Sequence, residues 1–243
     1  MKYAAIDLLL VSLAFGSWRY FSKIESQKDK LEICNVPDGQ IKTIYLFDGS
    51  IVKLNSGSSI QYPQHFKKDC REVYLHGEAV FSIKHDPSQP FLVHVGDLVI
   101  KDLGTRFNVK AYHPCLIITT LAEGGVREYE DKKGLSACIH LLPGEQSVYC
   151  ANDHEFTKKK VDVKDYMAWT DGSLVFRQSP LSSVILDISH HFKVKINIKS
   201  GVSVNQLFTT QFSPSESLTD VLNVLSKMGD FRYCIKGNTV YLH

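Results

Sequence analysis

The sequence predicts a mainly β protein made of an all-strand domain followed by a small α+β domain with two helices. Three observations support this. Between about residues 34 and 165, apolar residues alternate with polar ones, which is the period of a strand with one buried face. Turn signals such as Asp48-Gly49 and Pro143-Gly144 recur there at short intervals. Two windows of helical spacing then follow within residues 170–243.

The domain boundaries follow from these changes of pattern. Residues 1–30 form an N-terminal membrane anchor, or a signal peptide, together with a linker. Residues 31–165 form the β domain and residues 166–243 the α+β domain. The 44% hydrophobic content of the 243 residues is enough to build buried cores.

The N-terminal segment is apolar from Tyr3 to Phe21, apart from Asp7 and a few small polar residues. Its length barely reaches the roughly 20 residues that span a bilayer, and Trp18 suits the membrane interface. A cleaved signal peptide with Ala14-Phe15-Gly16 as its small-x-small site is the competing interpretation. Either interpretation exports the rest of the chain, whereas a buried N-terminal helix of the folded domain would not require export.

Charge and cysteine content exclude several classes of function. A formal net charge of +2 gives no overall field that attracts nucleic acid, and Lys158 to Lys160 reads as a solvated loop without interleaved aromatic residues. The six cysteines, at positions 34, 70, 115, 138, 150 and 234, contain no CxxC pair, so a zinc site is not predicted. Export would permit disulfides, with Cys138 and Cys150 as one conceivable pair, but buried free thiols are equally compatible with the pattern.

The strands of the β domain are read from strict alternation. Phe107, Val109 and Ala111 share one face of a strand, and the polar residues between them share the other. The segments around Phe81 and Val93 repeat this pattern. Alternation fixes the two faces but not the pairing of strands, so sandwich, roll and solenoid all remain open.

The C-terminal elements follow the order strand, helix, strand, strand, helix, strand, strand. Ser179-Pro180 predicts the start of the first helix. Ser217 with Asp220 resembles a capping box for the second helix, which Gly229 ends. Gly237-Asn238 predicts the turn of a terminal hairpin. This order predicts two helices on one face of a single sheet.

Several longer motifs resemble those of one known family. IYLFDGSIVKLNSGSSIQYP from position 44 to 63 is similar to the opening motif of the FecR family. HGEAVFSIKHDPSQPFLVHV (76–95), LGTRFNVKAY (103–112), LAEGGV (121–126), LLPGEQSVY (141–149) and WTDGSLVF (169–176) resemble its later motifs in the expected order. The resemblance covers nearly everything after Cys34.

The resemblance implies a solenoid-like or roll-like FecR domain followed by a domain similar to the STN module of secretins and TonB-dependent receptors. It implies a single-pass protein of the cytoplasmic membrane with most of its chain in the periplasm. The implied partners are the signalling domain of an outer-membrane TonB-dependent transporter and an extracytoplasmic-function (ECF) sigma factor. Because members of the family control that sigma factor, they are anti-sigma factors. The apolar segment follows Met1 almost directly, without the family's cytoplasmic sigma-binding domain before it. We therefore expect either a start site placed too late or a copy that has lost this domain.

No catalytic motif is present in the sequence, so we predict a binding protein without a cofactor rather than an enzyme. There is no GxSxG elbow, HExxH pair, Walker loop or GxGxxG turn. His190 and His191 are adjacent on a predicted helix and point about 100° apart, so surface or boundary positions are expected rather than metal ligands.

A partner is expected to add a strand to an exposed sheet edge, because this mode of binding needs no distinctive side-chain motif. The candidate partner-binding residues are Leu207, Phe208, Thr209, Thr210, Gln211, Phe212, Val240, Tyr241 and Leu242. An exported carbohydrate-binding or cell-envelope structural β module is the alternative function. A hydrolase on a β scaffold would need clustered carboxylates or a His-supported nucleophile, and the sequence shows neither.

Overall fold

The computed structural model describes residues 31–113, 115–130 and 138–243, together with Phe15 and Arg19. The predicted anchor or signal peptide within residues 1–30 therefore lies outside the described residues, apart from those two positions. Within the described part of the chain, no helix is both long and apolar enough to cross a membrane.

In the described residues, thirteen strands build the N-terminal β module. They are β1 (Leu31–Asn35), β2 (Lys42–Tyr45), β3 (Ile51–Leu54), β4 (Ser59–Pro63), β5 (Arg71–Ser82), β6 (Phe91–Val95), β7 (Leu98–Asp102), β8 (Arg106–His113), β9 (Leu116–Glu123), β10 (Val126–Glu130), β11 (Cys138–Leu141), β12 (Glu145–Cys150) and β13 (Glu155–Lys160). The mainly β prediction for this region is confirmed.

Strand β5 belongs to both layers of the β module. Its first half, from Arg71, pairs with β4 and β6, and its second half, from Gly77, pairs with β3 and β8. Sheet A thus contains β1, β4, the first half of β5, β6, β7, β10 and β11, and sheet B contains β2, β3, the second half of β5, β8, β9, β12 and β13. Gly77 adopts φ +91°, and a Cβ there would lie 2.5 Å from the Ser58 hydroxyl oxygen, so the bend requires glycine.

The two sheets enclose one continuous core. Ile60, Val93 and Ile100 from sheet A and Leu54 and Phe107 from sheet B belong to the same cluster of buried side chains. Within the described β module every pair of strands is antiparallel except β5 with β6. The solenoid-like or roll-like prediction is not confirmed, because antiparallel neighbours build two layers that curve around one core, close to a barrel.

The Lys158 to Lys160 segment is a strand and not the predicted loop. It forms the end of β13, which pairs with β12 along one side only. Its lysines are solvent-exposed, as expected from the sequence, and they protect a sheet edge from further pairing.

A short helical junction leads to the C-terminal module. It consists of helix α1 (Val163–Met167) and a 3-10 turn (Ala168–Asp171). The C-terminal module then contains β14 (Leu174–Pro180), α2 (Leu181–Phe192), β15 (Lys195–Ile198), β16 (Leu207–Phe212), α3 (Leu218–Gly229), β17 (Tyr233–Lys236) and β18 (Thr239–Leu242). The predicted order of strands and helices is confirmed, including the Gly237-Asn238 turn between β17 and β18.

The strands of this module form two small sheets, not the single sheet that was predicted. β14 pairs with β16, and β15, β18 and β17 form a separate three-stranded sheet. Both sheets and both helices contribute to one core, with Phe176, Ile188, Phe208, Leu222 and Val240 among its buried members.

The predicted N-cap of α3 is present in the structure, whereas that of α2 is not. Ser217 and Asp220 form the predicted capping box of α3. Helix α2 has Pro180 as its N-cap, because the Ser179 hydroxyl accepts a hydrogen bond from the Arg177 amide instead. The first amides of α2 donate to carbonyls of the loop that precedes β16. Leu181 N, for example, donates to Gln206 O at 2.9 Å.

The C-terminus of α3 also departs from the prediction. Gly229 is the last helical residue, and Asp230 takes the left-handed conformation, with φ 50°. A Cβ at Gly229 would lie 2.7 Å from the Phe231 ring and 2.8 Å from the Phe208 ring. Glycine is required here for close packing rather than for the backbone turn.

Candidate functional site

Side chains from both modules line a cleft between them. The outer face of sheet B forms one wall, and β14 and α2 form the other, enclosing about 300 Å³. Residues from both walls and the junction line it, including Glu78, Asn108, Lys110, Tyr112, Trp169 and Asp187. This is the candidate functional site, because it joins the two modules through polar groups rather than through a shared core.

An ion pair crosses the cleft. The Lys110 ammonium on β8 donates to both carboxylate oxygens of Asp187 on α2, at 2.6 Å each. Burial alone would lower the pKa of Lys110, but the negative charges of Asp187 and Glu78 hold it above its usual value. Lys110 therefore stays charged and ties α2 to sheet B.

Glu78 lies beside this pair with its own set of partners. Asn55 Nδ2 donates to one of its oxygens at 2.8 Å, and Asn108 Nδ2 donates to the other at 3.0 Å. Burial raises the pKa of Glu78, although the charge of Lys110 and these amide hydrogen bonds act in the opposite direction. The carboxylate is held by amides that sheet B itself supplies.

Trp169 connects this group to the junction. Its indole nitrogen donates to Asn108 Oδ1 at 3.0 Å, and its ring packs with Met167 against Val80 on the outer face of β5. The WTDGSLVF motif (169–176) spans the junction and the first residues of β14, and Trp169 anchors the junction on sheet B. Phe176 belongs instead to the core of the C-terminal module.

The last turn of α2 forms a second contact with the β module, next to the loops that follow β1 and β3. The His190 carbonyl accepts from Gly39 N at 2.8 Å and from the Ser56 hydroxyl at 2.7 Å. The His190 ring stacks on the Tyr112 ring, with the ring centroids 4.6 Å apart, and His190 Nδ1 lies 2.7 Å from Asp38 Oδ1. His190 thus lies at the contact between the modules, a position that the sequence did not predict.

The chemistry of the cleft is that of an interface. Lys110 pairs with Asp187, Arg177 pairs with Asp165, and Glu78 accepts from two amides. Among the described lining residues, no hydroxyl or thiol is paired with a base as a nucleophile would be. In the described residues no three or more His, Cys, Asp or Glu side chains cluster as metal ligands would. The six cysteines are free thiols. These contacts across the cleft can hold the two modules together, and they would break if the modules separated.

The two predicted partner-binding strands have different surroundings. In the described chain β16 (Leu207–Phe212) pairs only with β14, so its other edge is open. Leu207, Thr209 and Gln211 are exposed, whereas Phe208 and Phe212 are buried in the module's core.

The edge prediction for Val240, Tyr241 and Leu242 is wrong. They belong to β18, the central strand of its sheet, which pairs with β15 on one side and with β17 on the other. A strand with two neighbours offers no free backbone groups to a partner.

The residues of the cleft carry no distinctive signal in the sequence. Glu78 and Lys110 occupy the polar positions of alternating strands, and that pattern is the same whether the outer face meets water or another domain. Asp187 lies on α2 between apolar positions and gave no separate signal. Knowing which sheet faces the C-terminal module would have been necessary to find them.

Comparisons with known proteins agree with the two-module organisation. Residues 32–127 match the family model described as "FecR protein", and residues 173–242 match the model described as "FecR, C-terminal". No curated protein matches the chain.

Two crystal structures from Parabacteroides distasonis, each described as a "putative anti-sigma factor", resemble the whole described fold. The 2.50 Å structure is 31% identical, with a TM-score of 0.82, and the alignment covers 88% of this chain and 99% of that one. The 1.65 Å structure is also 31% identical, with a TM-score of 0.81 and coverage of 87% and 98%. This chain therefore belongs to the FecR family, and it is a regulator of the anti-sigma-factor type.

Proposed function

We propose that this chain is a membrane-tethered periplasmic regulator that takes a signal from an outer-membrane TonB-dependent transporter and passes it to an ECF sigma factor. The observation that carries the proposal is the presence of both FecR modules, in order, in a chain that resembles solved candidate anti-sigma factors along nearly their full length. The apolar segment from Tyr3 to Phe21 supports the tether.

The C-terminal module is the proposed receiver of the signal. Its order of strands and helices is that of an STN-like module, which is the finer identity we propose for it. The open edge of β16 offers main-chain donors and acceptors, and the exposed side chains of Leu207, Thr209 and Gln211 flank it. A strand of the transporter's signalling domain would bind by completing the β14–β16 sheet.

The cleft is the proposed relay. Contacts through Lys110, Asp187 and His190 fix the C-terminal module on sheet B in the described state. A partner that binds β16 changes the signal only if it binds better to a state in which these contacts are rearranged. The hydrogen bonds that cross the cleft suit such a change, because water can replace each of them once the modules separate.

The experiment is a calorimetric titration of this protein with purified signalling domains of TonB-dependent transporters from the same organism. The double substitution Leu207→Lys and Gln211→Lys places two charges on the β16 edge without touching the buried Phe208 and Phe212. We expect at least a tenfold loss of affinity, about 1.4 kcal/mol, because charge on an edge strand opposes strand addition. Val224→Lys on α3, which is 38% exposed, is the matched control and should bind as the wild type does.

Wild-type protein that binds none of these signalling domains would refute the relay, and unchanged binding by the double variant would remove β16 as the contact. Sigma-factor binding is tested separately on the product of the genomic reading frame, including any in-frame sequence upstream of Met1.

A further inference from the structure

Six of the ten exposed large apolar side chains in the described β module lie at one end of it, and the other four, Ile33, Ile41, Tyr74 and Leu116, lie elsewhere. At this end lie the turn from 46 to 50 between β2 and β3, the start of β1 and the turns that follow β7 and β11. Six large apolar side chains there are at least one-third exposed: Leu31 41%, Tyr45 77%, Phe47 77%, Ile51 38%, Leu103 41% and Leu142 62%. This region is termed the Leu31 end. Single exposed apolar residues are ordinary, but a cluster is not.

Strand registers and side-chain contacts place these residues together. Tyr45 lies opposite Ile51, and the Phe47 ring meets the His65 ring at 4.4 Å, two residues after Pro63, which pairs with Leu31. Leu103 and Leu142 directly follow Asp102 and Leu141, which both pair with Val126.

Arg71 joins the two sheets at this same end. Its guanidinium donates to Asp48 at 2.7 Å and to the Lys84 carbonyl at 2.9 Å, and its backbone pairs with Phe91. The six apolar side chains therefore belong to one end of the module rather than to two unrelated faces.

The chain enters the β module at this end. Leu31 is the first residue of β1, and only the nine residues 22–30 separate it from the apolar segment that ends at Phe21. Nine residues span at most about 30 Å when fully extended. A bilayer that holds the apolar segment would thus lie within that distance of the Leu31 end. The C-terminal module, by contrast, contacts the far end of the same strands through Gly39 and Ser56.

We propose that the Leu31 end rests on the lipid surface, with Phe47 and Tyr45 inserted among the headgroups; this rests on the membrane tether of the proposed function. Tyrosine and other aromatic rings favour the boundary between headgroups and acyl chains. Acidic Asp69, Asp86 and Glu123 accompany the basic Lys67, Lys68 and Lys84 at this end, so insertion of apolar groups and not attraction to anionic lipid carries the contact. In this orientation the far end, which contacts the C-terminal module, points away from the membrane.

The test uses the full chain reconstituted in phosphatidylcholine vesicles, with or without bromine atoms on the acyl chains. Trp18→Phe removes the tryptophan of the apolar segment. Phe47→Trp then adds a probe at the Leu31 end. Ile41→Trp is the matched control, because Ile41 is 40% exposed and lies beyond the opposite end of β2, a strand about 13 Å long.

We expect brominated lipid to quench the emission added by Phe47→Trp and to leave that added by Ile41→Trp unchanged. Flotation of the vesicles at alkaline pH reports separately on the tether. A chain that does not float overturns the tether and this inference together. A chain that floats, with equal quenching at the two positions, overturns this inference alone. Emission from Phe47→Trp that depends on the protein-to-lipid ratio but not on bromine would assign the surface to a second copy and also overturn it.

Discussion

The buried carboxyl group of Glu128 gives the sharpest prediction. Glu128 lies on β10 of sheet A and is fully buried, with the Ser147 hydroxyl on β12 of sheet B donating to it at 2.7 Å across the core. Burial raises its pKa from 4.5 to about 7, even though the hydrogen bond from Ser147 lowers it. The native state therefore holds this proton more tightly than the unfolded chain does.

The sign of the pH effect follows directly. Below pH 4.5 the carboxyl group is protonated in both states and costs nothing. As the pH rises from 4.5 through about 7, the unfolded chain loses the proton first, so the native state is progressively destabilised. Above pH 7 the loss is complete, and a shift of this size corresponds to about 3 kcal/mol.

Glu128→Gln should remove this pH dependence, since an amide of the same size does not titrate. We expect the unfolding free energy of the variant, relative to wild type, to increase by about 3 kcal/mol between pH 4.5 and pH 8.5. Urea unfolding at several pH values, followed by circular dichroism, measures it. Glu123→Gln, at an exposed position on β9, is the control and should show no such trend. A difference between Glu128→Gln and wild type that stays constant with pH would refute the reasoning.

Three further predictions concern the interface, a helix cap and a bend. A double-mutant cycle with Lys110→Met and Asp187→Asn should give a coupling energy of about 1–3 kcal/mol in urea unfolding, and a value near zero would remove the ion pair as a tie between modules. Ser217→Ala should cost about 1 kcal/mol of unfolding free energy, because it removes the cap that accepts from Asp220 N, and an unchanged urea midpoint would contradict that role. Gly77→Ala should destabilise the β module by more than 1 kcal/mol in thermal unfolding, since it combines a positive φ with a steric clash, and a neutral result would mean that β5 can bend without glycine.

The order of elements in the C-terminal module could be predicted because each one carries a local signal. The Ser217 cap, the apolar stripe of α3 and the Gly237-Asn238 turn are all set by residues close together in the sequence. The central position of β18 in its sheet could not be predicted in this way, because its parallel pairing with β15 joins residues more than 40 positions apart. Alternation at Val240 and Leu242 indicates a buried face equally well for a central and for an edge strand.

The candidate site was hidden for a related reason. Glu78 and Lys110 look like ordinary solvent-facing residues of alternating strands, and only the packing of α2 on sheet B places Asp187 beside Lys110. Trp169 was the one interface residue with a visible sequence signal, because a large aromatic residue stands at the change from one pattern to the other. Contacts between modules depend on tertiary structure that no local pattern encodes.

Strand β5 limits how the β module can move. Because one continuous strand is built into both layers, the layers cannot shear past each other without breaking backbone hydrogen bonds on both sides of Gly77. The module should therefore behave as a rigid body when a force or a ligand acts on it. Any hinge between its strands and those of the C-terminal module is then confined to residues 161–173, the stretch between β13 and β14.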